Sequence, residues 1–266
     1  MCYYISVNIK SSSSVTLDGI SCSLPVSSLI HQPLQSGFDH KLAPILKKNA
    51  EGKDFAVSPM EWGFLPSYLK TREAATRFRK GYKDDKGVFH PPIITLNAVG
   101  EELLLPRKIF RQSALERRCL ILCTGFYEWR HHAGTHKKTG APLKTVLKYP
   151  YFIHLKNREY FFMAGIWQPW YDTETGEYAE TFAIITTAAN PLMEKIHNSK
   201  KRMPCILDDK NAAEWLLGHP DEPRITELAC SQYPQEQMDA YTIAKDFRES
   251  NEPTAPYVYN ELPGLE

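Results

Sequence analysis

The 266-residue sequence predicts an α+β fold dominated by an irregular, mainly antiparallel β-sheet with short helices at its periphery. Three observations carry that prediction. Short aromatic and β-branched runs recur along the chain, each closed by a turn signal. Nineteen prolines against fourteen glycines suit strands joined by ordered loops. A hydrophobic content of 42% supplies one substantial core, and no low-complexity run marks a linker, so residues 1–266 read as a single domain.

The elements follow in order. Tyr3 to Ile9 alternates and carries β-formers, which predicts a strand directly after Cys2. Ser11 to Ser14 reads as a loop. Phe55 to Phe64 reads as a strand ending in a turn at Leu65-Pro66-Ser67. Arg72 to Lys83 is a basic helix or loop carrying Arg72, Arg77, Arg79, Lys80 and Lys83. Ile93 to Leu96 is a short strand that delivers Asn97 at its end. A short helix at Ser113 to Arg117 precedes an apolar strand from Cys119 to Cys123. The turn at Thr124-Gly125 then leads into Phe126-Tyr127-Glu128-Trp129. His131 to Lys148, polar and basic, reads as a surface insertion in a hairpin. Strands follow at Tyr151 to Leu155, Tyr160 to Trp167 and Thr181 to Thr186. Asn190 stands at the cap position of a helix from Pro191 to Ile196, and Asn211 to Leu217 is a further short helix.

Composition excludes several classes. No stretch approaches the roughly 18 apolar residues that span a bilayer. The start lacks a basic segment and an apolar run, so no secretory signal is expected and the chain reads as cytoplasmic. Six cysteines (Cys2, Cys22, Cys119, Cys123, Cys205, Cys230) in a chain this long are no disulfide framework. Most are expected to be buried thiols. Cys2 is the expected exception, because nothing before it can bury it inside a strand. The net charge of +1 hides an asymmetry. The segment from His219 onward holds ten acidic and three basic residues, leaving 21 acidic and 29 basic ahead of it. A basic body with an acidic C-terminal segment is compatible with a polyanion on one face, and equally with uneven surface charge.

Four residues bear chemistry. Once Met1 is removed, Cys2 carries an α-amine of pKa about 7.7–8.0 and a thiol near 8.5 on adjacent carbons. An aldehyde that forms an imine with the amine can then be closed by the thiol into a five-membered thiazolidine. No internal cysteine can do this. Glu128 lies amid aromatics, where burial would raise its pKa, although an alternating strand equally places it on a wet face. His197 sits at a helix end ahead of Lys200-Lys201-Arg202, as an acid/base group or as a simple cap. Asn97 supplies an amide that can orient a reacting group, or it is a turn residue.

The contexts of these residues share one likeness. They comprise Met1-Cys2, Glu61-Trp62-Gly63-Phe64-Leu65-Pro66, Leu96-Asn97-Ala98 with Glu101, and Arg117-Arg118-Cys119-Leu120-Ile121 leading into Gly125-Phe126-Tyr127-Glu128-Trp129. Ala164-Gly165-Ile166-Trp167, Phe182 to Asn190, and Ile196-His197 with Arg202-Met203-Pro204 complete the set. In this order and spacing the chain resembles the SOS-response-associated peptidase family of abasic-site processing proteins. The resemblance implies a distorted barrel-like sheet beside a positively charged DNA cleft. It implies Cys2 as nucleophile, Asn97 holding the amine and carboxyl region of Cys2, Glu128 shuttling protons, and His197 opening the deoxyribose ring and assisting reversal. Trp62, Pro66, Arg72, Arg77, Lys80, Lys200, Lys201 and Arg202 would contact DNA, with stacking and phosphate contacts as the logic of single-strand binding. The implied partner is single-stranded DNA with abasic sites, met at the nucleoid by a monomer that needs no cofactor or metal and touches no membrane. An AP-lyase activity and reversal of the crosslink belong to the same expectation. This sequence departs from the family at Tyr3-Tyr4, where Gly-Arg is usual, and at Val99, where Arg is usual, while Lys200 and Lys201 lie in a longer segment before Arg202.

Besides a non-catalytic DNA-binding module, two rival classes remain at this level. One is a cysteine peptidase using Cys2, His197 and Asn97, acting on its own chain. The other is a metal site at Cys119 and Cys123 with His131, His132 and His136, whose spacing lacks a tight Cys-x-x-Cys pair.

Overall fold

The Arg118–Cys123 strand (RCLILC) is apolar at every position after the first, as a strand buried on both faces requires. Its side chains serve two cores. Cys119, Ile121 and Cys123 pack with Cys2, Ile5, Trp62 and Ile153, whereas Leu120 and Leu122 pack with Leu46, Phe162, Trp215 and Leu228. The first core lies toward a second sheet; the second is covered by the Asp209–Leu217 and Glu222–Ala229 helices. The computed structural model describes residues 2–24, 28–52, 54–135 and 142–265.

Around that strand a barrel closes. Arg118–Cys123 pairs antiparallel with Leu42–Lys48 on one side and Phe161–Tyr171 on the other. Leu42–Lys48 pairs with Phe55–Trp62, which runs parallel to Tyr178–Ala188, and that strand returns antiparallel to Phe161–Tyr171. Closure leaves no free edge within this ring of five, which is the physical gain of a barrel. The expected α+β, mainly antiparallel, barrel-like fold is what the chain adopts, with a parallel seam within the ring at Thr181↔Glu61.

A five-stranded antiparallel sheet lies against the barrel in the order Met238–Thr242, Pro142–Leu155, Gly125–Thr135, Tyr4–Asn8, His31–Ser36. The first strand is thereby held between two others, with Ile5 opposite Phe126 and Ser6 opposite Gly125. Gly125 has to be glycine: a Cβ there would sit 2.2 Å from the Phe152 ring.

Several elements differ from expectation. Ile93 and Ile94 are exposed, and the short strand is Asn97–Val99, added parallel to Tyr178–Ala188. The described residues of the His131 to Lys148 segment are strand: the flanking strands continue into it, pairing His131 with Lys148 and reaching Thr135 opposite Pro142. The acidic segment after His219 is integral, because Ile225, Leu228, Met238, Ile243 and Phe247 are buried and Met238–Thr242 forms the sheet edge. Charge balance reports only the wet face of such a segment. The Asp18-Gly19 turn, both residues at positive φ, folds Ser14–Leu17 onto Ile20–Ser23, a hairpin absent from the sequence expectation; of the expected Ser11 to Ser14 loop only Ser14 is in a strand. The Pro191–Ile196 helix has the expected bounds, and the Asn190 side chain accepts from the Met193 N–H at 2.9 Å.

Candidate functional site

Strand pairing brings Glu128 to the N-terminal end of the chain. Continuing the Ile5↔Phe126 register places Glu128 opposite Tyr3. Cys2, the expected exception to burial, is 0% exposed. Sequence could not show this, since the neighbours that cover it come from distant segments. Its carbonyl accepts from Asn97 Nδ2 at 2.9 Å, and its Sγ leans toward the Tyr4 carbonyl at 3.7 Å. Burial pushes the Cys2 thiol far up, and the nearby Glu128 charge adds to the effect. The thiol is therefore neutral at rest.

Asn97 is placed by its own short strand and is almost buried. Nδ2 is used on Cys2, while the buried Oδ1 has no partner among the described residues. His197 ends the Pro191–Ile196 helix. Its Nδ1 lies 2.8 Å from the Arg202 carbonyl, which only accepts, so the proton is on Nδ1 and Nε2 carries the lone pair. That Nε2 stands 3.8 Å from Glu128 Oε2, with both side chains buried. Burial raises Glu128 to about 7 and lowers His197 to about 4. At neutral pH this is a carboxyl close to half-protonated facing a neutral imidazole, an arrangement able to take or give one proton.

The pair forms one wall of a pocket of about 340 Å³, completed by Tyr3, Trp129, His131, Lys148, Ser199, Lys200 and Arg248. The Asn198 amide ties the wall together, donating to the His131 carbonyl at 2.8 Å and accepting from its N–H at 3.0 Å. Cys2, Asn97, Glu128 and His197 are thus brought into one region by four separate elements.

The expected DNA-contact residues are scattered. Trp62 and Pro66 are buried rather than lining a channel. Trp62 donates from its indole N–H to the Leu96 carbonyl at 2.9 Å and stacks on Phe182, so it braces the segment that delivers Asn97. Trp62→Ala is accordingly expected to cost about 3–5 kcal/mol of stability, measured by denaturant unfolding. A loss of DNA affinity with unchanged stability would contradict this placement. Arg72 is spent on Glu61 and Glu177, and Arg202 on a bidentate pair with Glu101 at 2.7 Å. Arg77 pairs with Glu73 and lies over Tyr82. Lys80 is exposed on the same helix, away from the pocket lining. Lys201 is exposed, 3.8 Å from Glu194, and only Lys200 of this set lines the pocket.

Sequence reasoning missed Tyr3, Trp129, His131, Lys148, Ser199 and Arg248. The first two adjoin residues already singled out. His131 and Lys148 share a rung that only the hairpin register reveals, and Arg248 sits in the acidic segment, where nothing pointed to it. Cys119 and Cys123 point into the first core. Among the described residues no cluster of three or more His, Cys, Asp or Glu is placed to hold a metal. Met1 and His136 lie outside the described residues. No helix among those described is long and apolar enough to cross a membrane.

Comparison with known proteins gives a consistent answer. Residues 32–250 match the family model described as SOS response associated peptidase (SRAP), a span that contains Asn97, Glu128 and His197. The abasic site processing protein YoqW of Bacillus subtilis (strain 168) is 30% identical over 194 residues, covering 73% of this chain and 72% of that protein. The abasic site processing protein HMCES of Pongo abelii is 26% identical over 194 residues, covering 64% of this chain and 47% of that protein. A crystal structure of a protein from Bacteroides thetaiotaomicron superposes with a TM-score of 0.75 at 29% identity, covering 97% of this chain and 100% of that one. The chain belongs to the SOS response associated peptidase (SRAP) family.

Proposed function

We propose that this protein processes abasic sites in single-stranded DNA by bonding covalently to the exposed aldehyde through Cys2 after loss of Met1. The observation that carries the proposal is the meeting of the Asn97–Cys2 contact with the buried Glu128–His197 pair beside one pocket. His197 Nε2 takes the proton of the anomeric hydroxyl as the C1′–O4′ bond breaks, and that proton passes on to the ring oxygen, leaving the aldehyde and a C4′ hydroxyl. The Cys2 amine adds to the aldehyde carbon, giving a carbinolamine. Glu128 protonates the departing hydroxyl, water leaves, and an imine remains. The thiol sulfur then adds to the imine carbon while its proton passes to the nitrogen, closing the thiazolidine. One water is released overall. Asn97 Oδ1 accepts from the freed amine while Nδ2 keeps the Cys2 carbonyl in place.

The order amine first, thiol second agrees with a neutral, buried thiol, since the imine carbon is the stronger electrophile. The same feature weighs against the peptidase alternative, which needs a thiolate paired to a histidine. Both His197 nitrogens face other groups, the Arg202 carbonyl and Glu128.

Two measurements test the proposal. Intact mass of active protein should lack Met1, and mixing with abasic single-stranded DNA should add one DNA mass less one water. Retained Met1 in crosslinking protein would sink the thiazolidine route. Affinity for single-stranded DNA should fall with salt, with a log–log slope of about −0.7 for each phosphate neutralised. A salt-independent affinity would count against a phosphate-lined path.

A further inference from the structure

We infer that residues 257–265 form a positioning strap for the site: through Arg130 and Lys195 they hold the strand that carries Glu128 and the helix that carries His197 at their working separation. This rests on the roles proposed above for Glu128 and His197 and adds what sets the distance between them. The strap starts at the sheet edge, where the Tyr257 N–H donates to the Thr242 carbonyl at 2.8 Å and the Thr242 hydroxyl donates to the Tyr257 carbonyl at 2.5 Å. Tyr259 then stands edge-on to Tyr149 with centroids 4.9 Å apart, and its hydroxyl donates to the Ile243 carbonyl at 2.8 Å. Beyond it the backbone is gripped from two elements. Arg130 donates to the Pro263 carbonyl at 2.6 Å and to the Gly264 carbonyl at 3.2 Å. Lys195 donates to the Leu265 carbonyl at 2.7 Å. Leu262 and Leu265 pack on the core that holds Tyr149, Tyr151 and Ile196.

The two grips fall beside the two acid/base groups. Arg130 follows Glu128 by two residues on one strand, so both side chains leave the same face. Tyr151, directly across from Glu128, has its hydroxyl 3.5 Å from Arg130. Lys195 precedes His197 by two residues and shares a side of the Pro191–Ile196 helix with Leu192, which packs on the same core as the strap leucines. A helix of six residues is too short to be stable alone and takes its place from what packs on it. Its start is held by the Asn190 cap and its end by Asn198 on the His131 carbonyl. The strap adds a third hold, from the Leu192–Lys195 side. It is built from chain beyond the 32–250 span that the family model matches. Burial keeps Glu128 protonated to about pH 7, so a lifted strap, which admits water and lets the helix shift, lowers that pKa as it slows the reaction.

The test uses Leu262→Ser/Leu265→Ser, which frees the strap without removing a charge, and Arg130→Ala/Lys195→Ala, which removes both grips. The Glu128 carboxyl is titrated by NMR, and the rate of adduct formation at saturating abasic single-stranded DNA is followed against pH, with thermal melting to confirm the fold. In both variants the Glu128 titration and the rate inflection should fall by about one pH unit from about 7, and the rate should drop about tenfold. The leucine variant should keep its half-saturating DNA concentration. The sign of the shift separates the causes: losing two nearby positive charges would by itself raise a carboxyl pKa, whereas release of the strap lowers it. Arg130→Lys/Lys195→Arg, which keeps the donors, should behave as wild type. A folded variant whose Glu128 titration stays at the wild-type value would overturn the strap, whether or not its rate is slowed. If the leucine variant does not fold, the Arg130→Ala/Lys195→Ala titration decides. Wild-type protein that forms no adduct would overturn the function on which the inference rests, while the titration still reads the strap.

Discussion

Cys2→Ala is expected to abolish the heat-stable adduct with abasic single-stranded DNA. Alanine at position 2 keeps the α-amine once Met1 is gone, so an imine still forms. It has no sulfur to close the ring, and the imine hydrolyses when diluted or heated. Borohydride should therefore restore an adduct in the variant by reducing the imine, and this separates loss of the thiol from loss of binding. The variant should also cleave the strand more than wild type, because the iminium acidifies the adjacent carbon and permits β-elimination. Cys2 is buried, so the substitution removes one sulfur from a packed core and leaves the Asn97 contact with the residue 2 carbonyl available. A heat-stable adduct from Cys2→Ala without reductant would mean that Cys2 is not the bonding residue.

Glu128→Gln is expected to slow adduct formation by about 10²–10⁴-fold while changing affinity for abasic DNA little, since a neutral amide replaces a carboxyl that carries a proton much of the time. The wild-type rate should turn over near the Glu128 pKa of about 7, and the variant should lose that inflection. Stability gives an independent check with a definite sign. The folded-state pKa of Glu128 is raised above its ordinary value of 4.5, so its contribution is fully favourable below 4.5 and is lost as pH rises through about 7. The loss amounts to about 3 kcal/mol at full ionisation. Glu128→Gln should match wild type near pH 4.5 and exceed it at pH 8. His197 runs the other way: its pKa is depressed to about 4, so its contribution is present above 6.5 and lost as pH falls. The two trends oppose one another across the same window, and wild-type stability should be flatter with pH than either single variant. A Glu128→Gln protein less stable than wild type at pH 8 would show that the carboxyl is not the buried, proton-holding group described.

Much of the fold was legible because its strands announce themselves locally. The all-apolar run at Cys119 to Cys123 and the aromatic run at Phe126 to Trp129 each carry a period or a hydrophobic density that only a buried strand satisfies. Asn190 before Pro191 marked a helix start through its side-chain oxygen, and the helix begins there. The Asp18-Gly19 hairpin carries a turn dipeptide, but its strands are only four residues each and no element is read there from sequence. Strands such as Leu42–Lys48, with Pro44 inside it, and His31–Ser36, with Pro33, hide behind prolines that usually argue against a strand.

The site divides along the same line. Chemical capacity is a property of residue type and covalent position, so the sequence alone determined that a cysteine at position 2 can present an amine and a thiol on neighbouring carbons. It also determined which Asn, Glu and His stand in matching contexts. Proximity is a property of strand register and of contacts between segments 69 to 95 residues apart. Only the tertiary structure decided that Asn97 reaches Cys2, that His197 faces Glu128 with its lone pair, and that Cys2 is buried. Ion pairing was decided there too. Arg72 and Arg202 look like DNA contacts in a linear string, yet Glu61, Glu177 and Glu101 neutralise them in space, while Lys148 and Arg248 look ordinary and converge on the pocket. A charge in a sequence has no partner until the chain folds, because Coulomb interaction depends on distance through space and not along the backbone.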